Sequence, residues 1–296
     1  MEGASVLAPG SVLSLLDQGS SEEEETTEPF LSFVPEEYSV NWSEQLEELH
    51  EESSRTHFID VWTRRAMLAR LGPLPAAPTV IDIGCSSGYL LADLRERLPG
   101  ATLIGVDLVA RGLRKAHTLV PGALLLQADV CALPIKDACV DVAVSANLLE
   151  HVADDERALA EIVRTLRPGG RAVIVVPVNP EIYDCYDRLL GHERRYARGE
   201  LARKAQSAGL RVLQEVHLGA PLYPALWAVK QRNRRRYEHL RGAALEQKVK
   251  SEIDRTAGAT LGRLAWRLEE LLLRAGVRLP FGIRGLAVLE RPSLSS

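Results

Sequence analysis

The residues of this chain that could do chemistry gather at the ends of a few apolar runs. In "VIDIGCSSGYL", Val80 to Leu90, the small residues Gly84, Cys85, Ser86, Ser87 and Gly88 follow a β-branched run and precede a helical pattern. So bare a backbone lets a ligand approach the main chain, and the helix start behind it offers unpaired N–H groups to polar parts of that ligand. Asp107 ends the next run, "TLIGVDL", 25 residues after Asp82. A carboxylate there can accept hydrogen bonds from both hydroxyls of a ribose. "QAD" and "SAN" put Asp129 and Asn147 at the ends of two further runs. A tight turn that binds nothing is the plain alternative for the glycine stretch taken alone.

These groups converge only if the runs are neighbouring strands. "TVIDIG", "TLIGVDL", "ALLLQAD", "VDVAVSAN" and "RAVIVVPV" alternate with amphipathic stretches through Leu91 to Leu98, Arg111 to Leu119 and Asp154 to Leu166. Continuous apolar runs separated by helices call for a parallel sheet covered on both faces, with ligands at its carboxyl edge. A helix in "GELARKAQSAGL", a strand in "RVLQEVHLG" and a closing strand in "GLAVLER" complete a doubly wound α/β core.

The 296 residues suffice for one large domain with insertions, and 46% hydrophobic and 26% charged residues with a net charge of -4 describe a globular chain without a general affinity for nucleic acid. Cys85, Cys131, Cys139 and Cys185 have no C-x-x-C spacing and no zinc-like histidine pattern, so reduced thiols and no metal site are expected. No leader and no apolar run of the roughly 20 residues that span a bilayer are present, and a cytoplasmic location follows as the expectation. Five segments are expected: a disordered acidic tail over 1–36, carrying Glu22 to Glu25; a helical lid over 37–73, with Trp42, Leu46, Leu49, Phe58 and Trp62 on apolar faces; the core over 74–219; a helical insertion or substrate cap over 220–276; and the last strand and tail over 277–296. Within the insertion, Leu261, Leu264, Leu268, Leu271 and Leu272 share a helical face, read as core packing.

"VIDIGCSSGYL", "IGVDLV", "QADVCALPIKDACVDVAVSANLLEHV" and "LRPGGRAVIVVP", in this order and spacing, resemble the class I S-adenosylmethionine-dependent methyltransferases, of the type 11-like kind. The resemblance implies a Rossmann-like, seven-stranded, mostly parallel sheet with an antiparallel last strand, and S-adenosylmethionine as cofactor. It implies that Gly84, Cys85, Ser86 and Gly88 line the methionine part, with Asp82 orienting the loop. Asp107 and the adjacent Leu108 would serve the ribose, Asp129 and Val130 the adenine, and Asn147 the loop beside the methyl donor. Ser86 stands where the family often has glycine, which is tolerable if its φ is negative. The dinucleotide-binding alternative, a NAD-dependent oxidoreductase, lacks its G-x-G-x-x-G spacing here.

On the acceptor side, "NLLEHV" puts Glu150 and His151 just past the fourth run; His151 is a candidate base or substrate contact, with a structural histidine as the alternative. "GHERRYARGEL" resembles a G-H-x-R-R-Y segment of related methyltransferases and nominates His192, Tyr196 and an anion-clamping Arg195. Lys230, Arg232, Arg234, Arg235 and Arg236 beside "PLYPALW" suit a phosphorylated or lipid-linked acceptor or the surface of an anionic membrane. The expected function is methyl transfer to a small-molecule or glycan acceptor. A non-catalytic methyltransferase-like partner module, or an RNA methyltransferase using the basic insertion, are the alternatives.

Overall fold

The computed structural model describes residues 13–17, 28–35, 55, 57–242, 244–245, 247–248, 260–277 and 279–293. Among them the elements run β1 (Leu31–Ser32), α1 (Phe58–Leu68), β2 (Thr79–Ile83), α2 (Tyr89–Arg97), β3 (Thr102–Asp107), α3 (Ala110–Leu119), β4 (Leu124–Gln127), β5 (Val140–Ala146), α4 (Asp155–Thr165), β6 (Leu166–Pro177), α5 (Cys185–Leu189), α6 (Glu200–Ser207), β7 (Arg211–Leu218), α7 (Tyr223–Tyr237), α8 (Thr260–Arg274) and β8 (Arg284–Glu290).

The strands form one sheet in the order β1-β4-β3-β2-β5-β6-β8-β7. Pairings from β1 through β6 are parallel, and β8 runs antiparallel to both β6 and β7. The count is eight, not seven, because the two residues of β1 add to the outer edge of β4. All five residues of β2 are buried, as a central strand covered on both faces requires. Alternation splits the core into two layers: Ile81, Ile83, Ile104, Val106 and Leu126 pack on one face, Val80, Leu103, Leu125, Val142 and Val144 on the other.

Composition misjudged part of the N-terminal tail. Phe30 is buried, Leu31 and Phe33 pack against the core, and Leu16 bridges Ile135 while Leu15 accepts from the Lys136 amide. These few apolar residues find complementary surface at the sheet edge, which a local average of composition cannot register. Glu22 to Glu25, and Trp42, Leu46 and Leu49 of the expected lid, lie outside the described residues.

The leucine stripe of the insertion also departs from expectation. Leu264, Leu268 and Leu271 are 62%, 52% and 64% exposed; the side chain of Leu261 lies outside the described residues. The inward face of α8 carries Gly262, Trp266 and Glu269 instead. A Cβ on Gly262 would lie 2.4 Å from the Phe58 ring, so glycine there lets α8 settle onto α1. Trp266 packs beside Trp62, and the buried Glu269 carboxylate accepts from the Gly219 and Ala220 amides at 2.9 Å each, tying α8 to the end of β7.

Candidate active site

The strand order reverses at β2, whose neighbours β3 and β5 lead to opposite sides of the sheet. A crevice therefore opens at the carboxyl ends of these strands. Register keeps those ends level, with Ile83 beside Val106 and Asp107 beside Gln127. Gly84, Asp107, Asp129 and Asn147 consequently share one edge.

The turn after β2 is held by main-chain bonds: the Gly84 and Cys85 amides donate to the Val106 carbonyl, and the Gly88 amide to Cys85. Gly84 and Gly88 have φ of 80° and 81°. A Cβ on Gly88 would stand 2.8 Å from the Ala116 Cβ, and one on Gly84 3.0 Å from Leu148. Conformation and space both demand glycine at these two positions. Ser86 has φ of 45°, contrary to the negative φ under which a serine would be unstrained. Its amide donates to Asp107 Oδ2 at 2.8 Å, so the carboxylate that stabilises this turn offsets the strain. Cys85 contributes backbone only, since its side chain is buried in the core and lies against Gly105.

Asp107 accepts through Oδ1 from the Val109 amide at 2.9 Å as well. It is a brace for two loops, a role its position in sequence did not show. An ionised carboxylate has about four acceptor sites, so ribose hydroxyls would still find lone pairs. The Leu108 carbonyl accepts from Gln127 Nε2. Asp129 caps a short turn by accepting from the Cys131 amide at 2.8 Å, with Val130 buried beside it. The neighbouring Cys131 thiol, desolvated and next to Asp129, is pushed up to about 12. Asn147 takes a left-handed φ of 54°, anchored by its amide on the Val175 carbonyl.

Asp82 is 1% exposed, its Oδ2 has no hydrogen-bond partner, and burial together with the nearby Asp107 charge pushes its pKa up to about 8. A buried carboxylate oxygen left without a donor is what an incoming ammonium group would satisfy. The bare turn, the two-hydroxyl acceptor and this carboxylate thus fit the amino-acid and ribose parts of S-adenosylmethionine.

Past β5, Leu148 packs against Gly84, and the next turn carries Glu150 and His151. His151 meets His192 edge to face, with ring centroids 4.8 Å apart. Glu150, 0% exposed, has no partner on either carboxylate oxygen, and burial raises its pKa to about 8. It is therefore no solvated residue. Glu150, His151 and His192 bring ligand atoms within 4.8 Å of one another.

Three expectations for the acceptor side are overturned. Tyr196 is fully buried; its hydroxyl donates to Asp155 Oδ2 at 2.6 Å and its pKa is raised, by burial first and then by Asp155. It is a core residue whose hydroxyl is spent on a buried carboxylate. Arg195 is no anion clamp, because its Nε donates to Asp187 at 2.7 Å and the side chain is 8% exposed. Lys230 is removed from the basic surface: it is 5% exposed and its Nζ contacts Asp184 at 2.6 Å and Asp187 at 3.0 Å. Arg234 donates to the Glu181 carbonyl, while Arg235 and Arg236 are exposed on α7 near the half-exposed Trp227. The sequence carried no signal for this ion cluster, whose members come from α5, "GHERRY" and α7.

Residues 81–174 match the family model of the methyltransferase domain. The chain is 37% identical over 172 residues to the trans-aconitate 2-methyltransferase of an Azoarcus species, covering 57% of this chain and 62% of that one. It is 36% identical over 118 residues to the demethylmenaquinone methyltransferase of Thermus thermophilus, covering 38% and 53%. The chain thus spans little more than half the length of these curated relatives. A solved Haemonchus contortus phosphoethanolamine N-methyltransferase 2, in complex with S-adenosylmethionine, superposes with a TM-score of 0.57 over 83% of this chain and 57% of its own, at 16% identity, which shows a shared fold. Residues 81–174 thus form a methyltransferase domain, and the curated methyltransferase relatives and the strand order agree with that match.

Proposed function

We propose that this chain transfers the methyl group of S-adenosylmethionine to a small-molecule or glycan acceptor. The observation that carries the reading is the edge formed by the glycine turn, Asp107 and the unpartnered Asp82 oxygen. Asp82 would take the ammonium of the methionine part, the Gly84 to Gly88 backbone its approach, Asp107 the ribose hydroxyls and Asp129 the adenine amino group. When bound, the cofactor supplies an electrophilic methyl on a sulfonium. Orienting the acceptor atom about 3 Å from that carbon, in line with its bond to sulfur, is worth roughly 7–11 kcal/mol, so few catalytic side chains are needed. His151, on the turn that packs against the donor loop, is the candidate base or acceptor contact.

The relatives named for trans-aconitate and demethylmenaquinone support an acceptor of small size. Exposed Arg235 and Arg236 beside Trp227 favour one with an anionic or lipid-linked part, or an approach to an anionic membrane surface. Among the described residues no helix is long and apolar enough to cross a membrane.

Calorimetric titration with S-adenosylmethionine, with NAD as control, tests the reading. Micromolar binding of the former alone is expected. A folded sample free of copurified cofactor that binds neither would overturn it and leave the partner-module reading.

A further inference from the structure

We infer that Glu150, His151 and His192 form a binding site for one divalent transition-metal cation, with Zn²⁺ the best match, at the acceptor side of the crevice. The three offer ligand atoms within 4.8 Å of one another, drawn from the turn after β5 and from the "GHERRY" loop that lies across it. The two loops are tied together by the Glu193 amide, which donates to the Glu150 carbonyl at 2.8 Å. The sequence expectation of no metal site rested on cysteine spacing; here the second histidine lies some forty residues beyond the first, a separation only the fold closes.

Glu150 carries the argument. Its side chain is 0% exposed and neither oxygen has a hydrogen-bond partner. A buried carboxylate in that state requires a partner, and two imidazoles facing it specify a metal ion better than an organic cation. His192 is prepared as a ligand. The buried Asp187 carboxylate, which also contacts Arg195 at 2.7 Å and Lys230 at 3.0 Å, lies 2.9 Å from His192 Nδ1 and can only accept from it. That bond fixes the tautomer with the proton on Nδ1 and leaves the Nε2 lone pair for a metal. A carboxylate behind the histidine is the usual outer support of a metal ligand. Two imidazoles and one carboxylate suit Zn²⁺ and its first-row neighbours and disfavour Mg²⁺ and Ca²⁺. Three protein ligands leave a position open, as in catalytic rather than structural zinc sites.

The site's existence is independent of methyl transfer; its role rests on that reading, with His151 then acting on the acceptor through the metal and not as a base. An oxygen of the acceptor entering the open position would be held beside the donor loop, and a metal-bound hydroxyl is more acidic than a free one. This would select acceptors with a hydroxyl or carboxylate at the reacting end.

The test is metal binding itself. Untagged protein, stripped with a chelator and dialysed, is titrated with Zn²⁺ by calorimetry and with Co²⁺ by visible absorption, alongside Glu150→Gln, His192→Asn and, as control, the exposed His117→Ala. One equivalent per chain is expected, with at least about tenfold weaker binding in the first two variants and none of that loss in the control. Each variant's melt is checked against wild type. Absence of stoichiometric binding to folded wild type overturns the site, as does unchanged affinity in both Glu150→Gln and His192→Asn. S-adenosylmethionine affinity is measured on the same samples. A protein that takes the metal but not the cofactor refutes the methyltransferase reading alone, and the reverse refutes the metal site alone.

Discussion

Replacing Lys230 with methionine isolates what the buried ion cluster contributes. Methionine keeps most of the aliphatic stem and removes the ammonium that contacts Asp184 Oδ1 at 2.6 Å and Asp187 Oδ2 at 3.0 Å. Asp184 and Asp187 are 1% and 0% exposed, so neither can recover hydration. Arg195 still pairs with Asp187, and Asn233 donates to Asp184 at 3.3 Å, but the cluster is left with two carboxylates and one cation. Breaking a buried pair by removing one partner costs about 3–5 kcal/mol, against about 0–1 kcal/mol for an exposed pair. In a chain of this size that is a fall in Tm on the order of 10 °C. Urea unfolding at unchanged m would read the loss directly. Adding Asp184→Asn to Lys230→Met should restore part of it, giving a coupling energy of at least about 1 kcal/mol. A single-variant loss under about 1 kcal/mol, or strict additivity of the two, would refute the claim that the cluster joins α7 to the acceptor-side loop. The pH dependence has a definite sign. Asp187 is depressed in the fold, so its contribution is present above the unfolded carboxylate pKa of about 3.9 and is lost only as pH falls below it through the folded value.

Asp82 titrates in the opposite sense: raised to about 8 by burial and by Asp107, it keeps in the fold a proton that the unfolded chain has released. Stability of the cofactor-free protein should therefore fall by a few kcal/mol as pH rises from about 4 to about 8, and Asp82→Asn should flatten that slope in thermal melts across pH; an unchanged slope would remove Asp82 as its source. Tyr196→Phe deletes a hydroxyl bonded to the Asp155 carboxylate at 2.6 Å and should cost about 1.5–3 kcal/mol of stability with turnover per folded molecule unchanged; a fall in kcat of tenfold or more would return Tyr196 to catalysis. Ser86→Gly relieves a left-handed serine worth about 1–2 kcal/mol, partly offset by the greater freedom of glycine in the unfolded chain. Cofactor affinity should hold or tighten, and a tenfold loss in calorimetry would show that the Ser86 hydroxyl contacts the ligand. Asp107→Ala removes the brace of both the Ser86 and Val109 amides and should weaken S-adenosylmethionine by more than tenfold; unchanged affinity would sink its assignment.

The sequence by itself determined the sheet and one side of the site. Each core strand is a continuous apolar run because it is buried on both faces, and each ends on a group whose place at the carboxyl edge follows from parallel order alone; Gly84, Asp107, Asp129 and Asn147 were legible for that reason. The glycine-rich turn itself was legible, but the Leu148 and Ala116 contacts that leave no room for a side chain at Gly84 and Gly88 come from the fold. The acceptor side could not be read in the same way. Whether Lys230 faces water or two carboxylates, whether Tyr196 reaches a ligand or a buried aspartate, and whether Glu150 is solvated or enclosed depend on contacts between segments from some forty to fifty residues apart. A charge has the same identity in the sequence in either setting, while its energy differs by several kcal/mol between water and the interior. Only the packing of α5, α7 and the "GHERRY" loop against the turn after β5 selected the setting and brought Glu150, His151 and His192 together, while the docking of α8 on α1 and the end of β7 left Leu264, Leu268 and Leu271 exposed.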